Sequence, residues 1–194
     1  MKIVLASNNA KKRKELTSIL AALGIELASP DETTFVDVIE DGETFADNAR
    51  KKAEAFAAAN NLPALADDSG LCVDALNGAP GVYSSRFAGE DASDADNNAK
   101  LLSDMQGVEN RSAHFVCSLC LVFPDGQAAV TAEGETNGTI LIHPDGAEGF
   151  GYDPLFFSTD LNKSFASASA NEKASVSHRG RALRLFAERL VSLV

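Results

Sequence analysis

"KIVLASNNAKKRKELTSILAALG", residues 2 to 24, decides the fold class. Ile3, Val4, Leu5 and Ala6 form a short apolar run of the kind that fills a buried strand, so the strand is read from Lys2 to Ala6. From about Ala10 the pattern changes to helical spacing, with Leu16, Ile19, Leu20 and Leu23 on one face and Gly24 as the stop. Strand, polar loop and helix in that order make a β-loop-α unit. The loop, "SNNAKK" at 7 to 12, lies where free backbone N–H groups and the helix dipole favour an anion. Taken alone, an asparagine-rich turn with solvated lysines fits it equally well. The phosphate loop G-x-x-x-x-G-K-[ST] is absent from the chain.

The alternation continues outward from this unit. Thr44 to Asp47 has capping-box form and opens a second helix, predicted to run through about Asn60. Leu62 to Ala66 reads as a short strand that ends at Asp67-Asp68, and Ser93 to Asp96 opens a third helix reaching about Met105. "SAHFVCSLCLVF" and "AAVTAEGET" read as two antiparallel strands joined at Pro124-Asp125-Gly126. The last 15 or so residues spell an amphipathic helix with Leu183, Phe186, Leu190 and Leu193 at helical spacing. The sum is an α/β fold with a mixed central β-sheet flanked by helices, in one domain or one domain with two lobes.

Composition narrows the function classes. The chain has 17 basic and 28 acidic residues and a formal charge of −11, which opposes broad attraction to nucleic acid or an anionic membrane. An anionic ligand therefore needs a local basic pocket or a metal. The N-terminal apolar run is shorter than the ~7–15 residues of a signal-peptide core, and no stretch approaches the ~18 apolar residues of a membrane span. The expected location is the cytoplasm. Cys72, Cys117 and Cys120 make an odd number, which suits a reducing compartment. Cys117 and Cys120 match Cys-x-x-Cys, but in a strand they point to opposite faces and no second ligand pair follows, so they read as buried apolar side chains.

Four polar clusters remain that packing does not call for. Besides "SNNAKK" there is "EDGETFADNARKK" at 40 to 52, where Asn48 and Lys52 share one helix face and Asp47 and Lys51 suit a surface ion pair. A solvated helix face explains that cluster as well as a site does. Asp67-Asp68 follows a strand, where α/β sheets place ligand sites, and adjacent strand side chains point in opposite directions, so the two need not share a task. An aspartate-rich turn is the competing reading there. The fourth cluster joins "GFGYDP", 149 to 154, to "EKASVSHRG", 172 to 180. Phe150 and Tyr152 suit base stacking, Asp153 suits a hydrogen bond, and Lys173, His178 and Arg179 suit phosphates or a carbonyl.

Together, "SNNAKK", "TFADNARKKA", "ADDSGLCVDALNGAPGVYSSRFAG", "GFGYDPLF" and "SHRGRAL" resemble, in order, the signature blocks of the inosine/xanthosine triphosphate pyrophosphatase family, from about residue 3 to 185. The resemblance implies a single nucleoside triphosphate pyrophosphatase domain over residues 1–194, with two lobes around a nucleotide-binding cleft. It implies hydrolysis of nonstandard purine nucleoside triphosphates to monophosphate and pyrophosphate. Residue by residue, it makes Ser7, Asn8, Asn9, Ala10, Lys11 and Lys12 the substrate-binding segment, with Lys12 as the phosphate lysine and Lys52 as the helix lysine. Glu40 and Asp68 fall on the magnesium ligands, Asp68 also on the proton acceptor, and Ser69 on a substrate contact. Phe150, Gly151, Tyr152 and Asp153 line the base pocket, Lys173 follows, and His178 and Arg179 read the purine. Asn8 stands where many members have glycine, and asparagine is among the side chains that best tolerate the left-handed backbone glycine supplies. The family also implies a homodimer, with Mg2+ as the cofactor. A pyrophosphatase for modified pyrimidine nucleotides and a nucleotide-binding sensor without turnover are the alternatives. Retention of every candidate catalytic carboxylate argues against the sensor.

Overall fold

The structure, a computed structural model, describes residues 2–22 and 24–191. Its strands are β1 (Lys2–Leu5), β2 (Glu26–Leu27), β3 (Ala64–Val73), β4 (Ser112–Val122), β5 (Val130–Ile140), β6 (Phe156–Ser158) and β7 (Lys163–Ser164). The helices are α1 (Ala10–Ala22), α2 (Phe45–Asn60), α3 (Asp94–Asp104), α4 (Ala170–Val176) and α5 (His178–Val191). One sheet holds all seven strands in the order β2-β1-β3-β4-β5-β6-β7. It is mixed: β1 pairs parallel with β2 (Ile3 opposite Leu27) and with β3 (Leu5 opposite Leu65), whereas β6 pairs antiparallel with β5 and with β7.

The chain divides into two compact units, and strands β3, β4 and β5 each run out of one into the other. The first comprises Met1–Asp68, Cys117–Gly134 and Arg179–Val194. Its strands use both faces, as the alternation of a buried strand demands. Ile3 and Leu5 pack with Leu16 and Leu20 of α1 and with Leu183 and Phe186 of α5. Val4 and Ala6 turn the other way, against Ala49, Ala53, Phe56 and Ala57 of α2. Each fully buried leucine or phenylalanine contributes about 1.5–3 kcal/mol. Cys117 lies in the first of these clusters and Cys120 in the second, opposite faces of one strand, and burial raises the pKa of both thiols.

The second unit comprises Ser69–Val116 and Glu135–His178. Its core gathers Leu71, Val73, Leu101, Met105, Tyr152, Leu155 and three phenylalanines, with the Phe115 and Phe156 rings 4.7 Å apart and those of Phe156 and Phe165 4.9 Å apart. Arg111 serves structure here, donating to the carbonyls of Met105, Ile140 and Leu141.

Thr44 caps α2, accepting from the Asp47 N–H, and Ser93 with Asp96 closes a capping box on α3, as their spacing predicts. Four expectations change. β3 does not stop at Ala66 but carries Asp67, Asp68, Ser69 and Gly70 as strand residues, because ion pairs and hydrogen bonds inside the protein offset the cost of burying them. α5 begins at His178, slightly before the last 15 or so residues that the pattern marks, so His178 and Arg179 lie in its first turn. α4 is additional, and its capping box of Ser169 and Glu172 was present in the letters. Lys51 pairs with Asp41 instead of Asp47, whose carboxylate is occupied by Thr44. Leu23 and Leu193, expected on helix faces, lie outside the described residues. Among the described residues no helix is long and apolar enough to cross a membrane.

Candidate active site

The first unit brings three of the candidate residues into direct contact. Lys52 lies on the inner face of α2, and its Nζ donates to Glu40 Oε2 at 3.0 Å and to Asp68 Oδ1 at 3.1 Å. One turn earlier on the same face, the Asn48 Nδ2 donates to Asp68 Oδ2 at 3.2 Å. The spacing of Asn48 and Lys52 thus builds a buried pair aimed at one carboxylate, not a solvated face: Asn48 is 0% exposed and Lys52 8%.

Asp67, the adjacent residue of β3, faces the other way. Arg179 NH2 donates to its Oδ2 at 3.2 Å, while Arg179 NH1 donates to Glu15 Oε2 at 2.7 Å. Lys12 Nζ lies 3.8 Å from the same Asp67 oxygen. The alternation of the strand therefore separates two like charges into two networks.

The electrostatics of the two aspartates diverge accordingly. Burial pushes Asp68 up, Lys52 and Lys12 pull it down, and the neighbouring Glu40 adds to the rise, leaving its pKa at about 6. Burial also acts on Glu40, but the charge and hydrogen bond of Lys52 outweigh it and hold Glu40 below its ordinary value. Asp67 is fully buried, yet Lys12, Arg179 and Lys52 overcome burial and keep it far below the usual carboxylate range. Lys52 is raised, because Asp68, Asp67 and Glu40 outweigh its own desolvation.

The loop after β1 carries the first cluster. Asn9 caps α1: its Oδ1 accepts from the backbone N–H of Lys11 at 3.0 Å and of Lys12 at 3.1 Å. Ser7 Oγ accepts from the Asn9 N–H at 3.3 Å, and Asn8 Nδ2 donates to the Val36 carbonyl. Asn8 has no positive φ, so the side chain at this position takes up no glycine-like backbone. The first turn of α1 holds Ala10, Lys11, Lys12 and Arg13 with no acidic residue, the reverse of what the helix dipole favours for an isolated helix. That arrangement suits an external anion.

The second unit assembles the remaining cluster. Lys173 Nζ donates to Asp153 Oδ2 at 2.7 Å and lies 4.9 Å from the centre of the Phe150 ring. Asp153 Oδ2 also accepts the Phe150 N–H at 2.8 Å. This needs glycine at 149, where φ is +78° and a Cβ would fall 2.0 Å from the same oxygen. Tyr152 is a core residue whose hydroxyl donates to the Ser84 carbonyl at 2.8 Å, and burial first, then Asp94, raises its pKa. His178 stacks on Phe115 at 4.7 Å with the rings 12° apart. Ser69 is half-buried in β3. Gly151 is held by two residues of α3 that sequence reasoning missed: its N–H donates to Asp94 and its carbonyl accepts from Asn98, partners more than fifty positions away. Glu15, the other missed residue, stands one helical turn from Lys12, but nothing in the letters tied it to Arg179.

The donor set can be tested for a metal. Two carboxylates, Glu40 and Asp68, face one ammonium, Lys52, which leaves one negative charge among these three groups. Carboxylate oxygens suit magnesium, which commonly takes one or two of them and completes its shell with water and substrate phosphates. Among the described residues no group of three or more metal-ligating side chains gathers. The residues fit magnesium on these terms.

The mixed sheet flanked by helices defines the chain as an α/β protein, and its first unit holds both a lysine-clamped carboxylate pair and a basic helix start. The chain belongs to the Ham1 family, whose model matches residues 3–189. It is 52% identical over 187 residues to the dITP/XTP pyrophosphatase of Desulforamulus reducens, covering 95% of this chain and 92% of that one. A HAM1 protein from Coxiella burnetii has a similar solved structure, with a TM-score of 0.89 and 40% identity over 99% of both chains. So does the nucleoside-triphosphatase / dITP/XTP pyrophosphatase of Mycobacterium abscessus, with a TM-score of 0.76 and 43% identity over 95% of this chain and 97% of that one.

Proposed function

We propose that the chain hydrolyses the nonstandard purine nucleoside triphosphates ITP, dITP and XTP to the monophosphate and pyrophosphate, with residues 1–194 as one catalytic domain. The observation that carries this reading is 52% identity, across nearly the whole of both chains, to a protein named dITP/XTP pyrophosphatase.

In this reading Asp68 is the proton acceptor for the attacking water. In the metal-free protein burial raises the Asp68 pKa to about 6, which makes it a stronger base than an ordinary aspartate while leaving it ionised at neutral pH, and Mg2+ on the same carboxylate would draw that value down. Glu40 and Asp68 would hold Mg2+, which supplies charge neutralisation and a more acidic bound water. Lys12 and Lys52 take phosphate charge, with Ser7, Asn8, Asn9, Ala10 and Lys11 completing that end. The N–H groups of Lys11 and Lys12 are engaged by Asn9, so phosphate affinity rests on side-chain charge and the helix dipole. A local excess of lysine is how a chain of charge −11 holds a tetra-anion.

Ser69, Phe150, Gly151, Tyr152, Asp153, Lys173, His178 and Arg179 serve the rest of the substrate. Hypoxanthine and xanthine present a 6-carbonyl and an N1–H where adenine presents an amino group and a bare N1. A donor aimed at the carbonyl leaves adenine mispaired, at about 1–3 kcal/mol per contact. His178 is the better candidate for that donor, since the terminal nitrogens of Arg179 already serve Glu15 and Asp67. A second copy of the chain as partner and a cytoplasmic location complete the proposal.

Incubation with ITP and Mg2+, followed by identification of the phosphorus products, tests it. Inosine monophosphate and pyrophosphate are expected. Inosine diphosphate with orthophosphate would overturn the mechanism.

A further inference from the structure

We propose that Asn48 is a positioning residue that sets the geometry of both site carboxylates. This deepens the reading above and rests on Asp68 and Glu40 having the roles given there. A carboxamide has one accepting end and one donating end, and both ends of this fully buried side chain are used. Its Oδ1 accepts the Gly42 N–H at 2.8 Å, and its Nδ2 donates to Asp68 Oδ2 at 3.2 Å. Gly42 can only donate at that point, so the amide cannot turn over without losing both bonds.

Two consequences follow from this orientation. The segment carrying Glu40 is tied to α2 two residues beyond Glu40 itself. The Asp68 carboxylate is held by a separate donor on each oxygen, Lys52 on Oδ1 and Asn48 on Oδ2, so its rotation about the Cβ–Cγ bond is fixed. Gly42 has been fitted to the same contact: a Cβ there would fall 2.6 Å from Asn48 Oδ1 and 2.8 Å from the Asp47 Cβ. The glycine is required by close approach, since its φ is not in the left-handed region.

Asn48→Ala, the shape-conserving Asn48→Leu, Gly42→Ala and the Asn48→Ala/Gly42→Ala double variant test the proposal beside Asp68→Asn. Three quantities are read: melting temperature, kcat and KM for ITP with Mg2+, and affinity of the nucleotide-free protein for Mn2+ alone by spin resonance. Loss of a group that orients metal-binding carboxylates typically costs about 10–100-fold. Asn48→Ala and Asn48→Leu are expected to lower kcat and Mn2+ affinity within that range, with KM changed less than about threefold. Gly42→Ala is expected to give part of the same loss, and the double variant to be no worse than Asn48→Ala alone, because both break one contact. Folded Asn48 variants with wild-type kcat and Mn2+ affinity overturn the proposal, as do losses that multiply in the double variant. If Asn48→Ala does not fold, Asn48→Leu and Gly42→Ala decide on the same criteria. A fully active Asp68→Asn would instead overturn the site reading itself, whereas an inactive Asp68→Asn beside normal Asn48 variants removes the Asn48 role alone.

Discussion

The two faces of β3 at Asp67 and Asp68 present the same side chain in opposite circumstances. On the Asp67 face, two carboxylates, Asp67 and Glu15, meet two cations, Arg179 and Lys12, and the charges balance. On the Asp68 face, Asp68 and Glu40 share one Lys52, and a negative charge is left over. One face balances its charge among these four groups, and the other keeps a surplus negative charge that, in the proposed reading, suits an additional cation and the taking of a proton. Identical side chains one residue apart thus acquire opposite electrostatic character from what the rest of the fold brings to each side.

The sharpest way to break this contrast is to neutralise each aspartate in turn. Asp67→Asn leaves the fully buried Arg179 without one of its carboxylates, which is expected to cost about 3–5 kcal/mol of folding stability, read by denaturant unfolding. Asp68→Asn should keep the fold and lose most turnover, about 10²–10⁴-fold in kcat if the residue is the base. An Asp67→Asn protein of normal stability, or an Asp68→Asn protein of normal kcat, would dissolve the division.

A pH effect of opposite sign on the two faces sharpens it further. Asp67, depressed in the fold, contributes stability that is complete above its unfolded value of about 4 and is lost as pH falls through its folded value. Asp68, raised in the fold, contributes stability present below about pH 4 that is lost as pH rises through about 6. From these two groups metal-free protein should therefore lose stability as pH rises through about 6 and change little above about pH 7, where the Asp68 penalty is nearly complete. The smallest expected effect is at the surface. Lys51→Ala breaks an exposed ion pair with Asp41, and no measurable change in melting temperature or kcat is expected.

Much of this was legible in the letters. The strand–loop–helix start, the caps at Thr44 and Ser93, the turn at Gly126 and the opposite facing of Cys117 and Cys120 all follow from local pattern, and the structure bears them out. The divergence of Asp67 and Asp68 was legible too, from strand alternation alone. What pattern did not disclose was long-range. Arg179 reaches Asp67 across 112 positions, and Asp94 holds Gly151 across 57, and no periodicity encodes such pairings. The burial of Asn48 and Lys52 was missed for the same reason: a polar helix face reads as solvated until the fold supplies a carboxylate for it to meet. The end of β3 was misjudged because aspartate and glycine are poor strand formers, and the ion pairs that override that preference come from elsewhere in the chain.

The most direct test is a carbon-13 NMR titration of the side-chain carboxyls of Asp67 and Asp68 in metal-free protein. The account predicts a midpoint near pH 6 for Asp68 and no titration of Asp67 down to acid unfolding. Titration of both carboxyls together near pH 4, as for two ordinary aspartates, would contradict it.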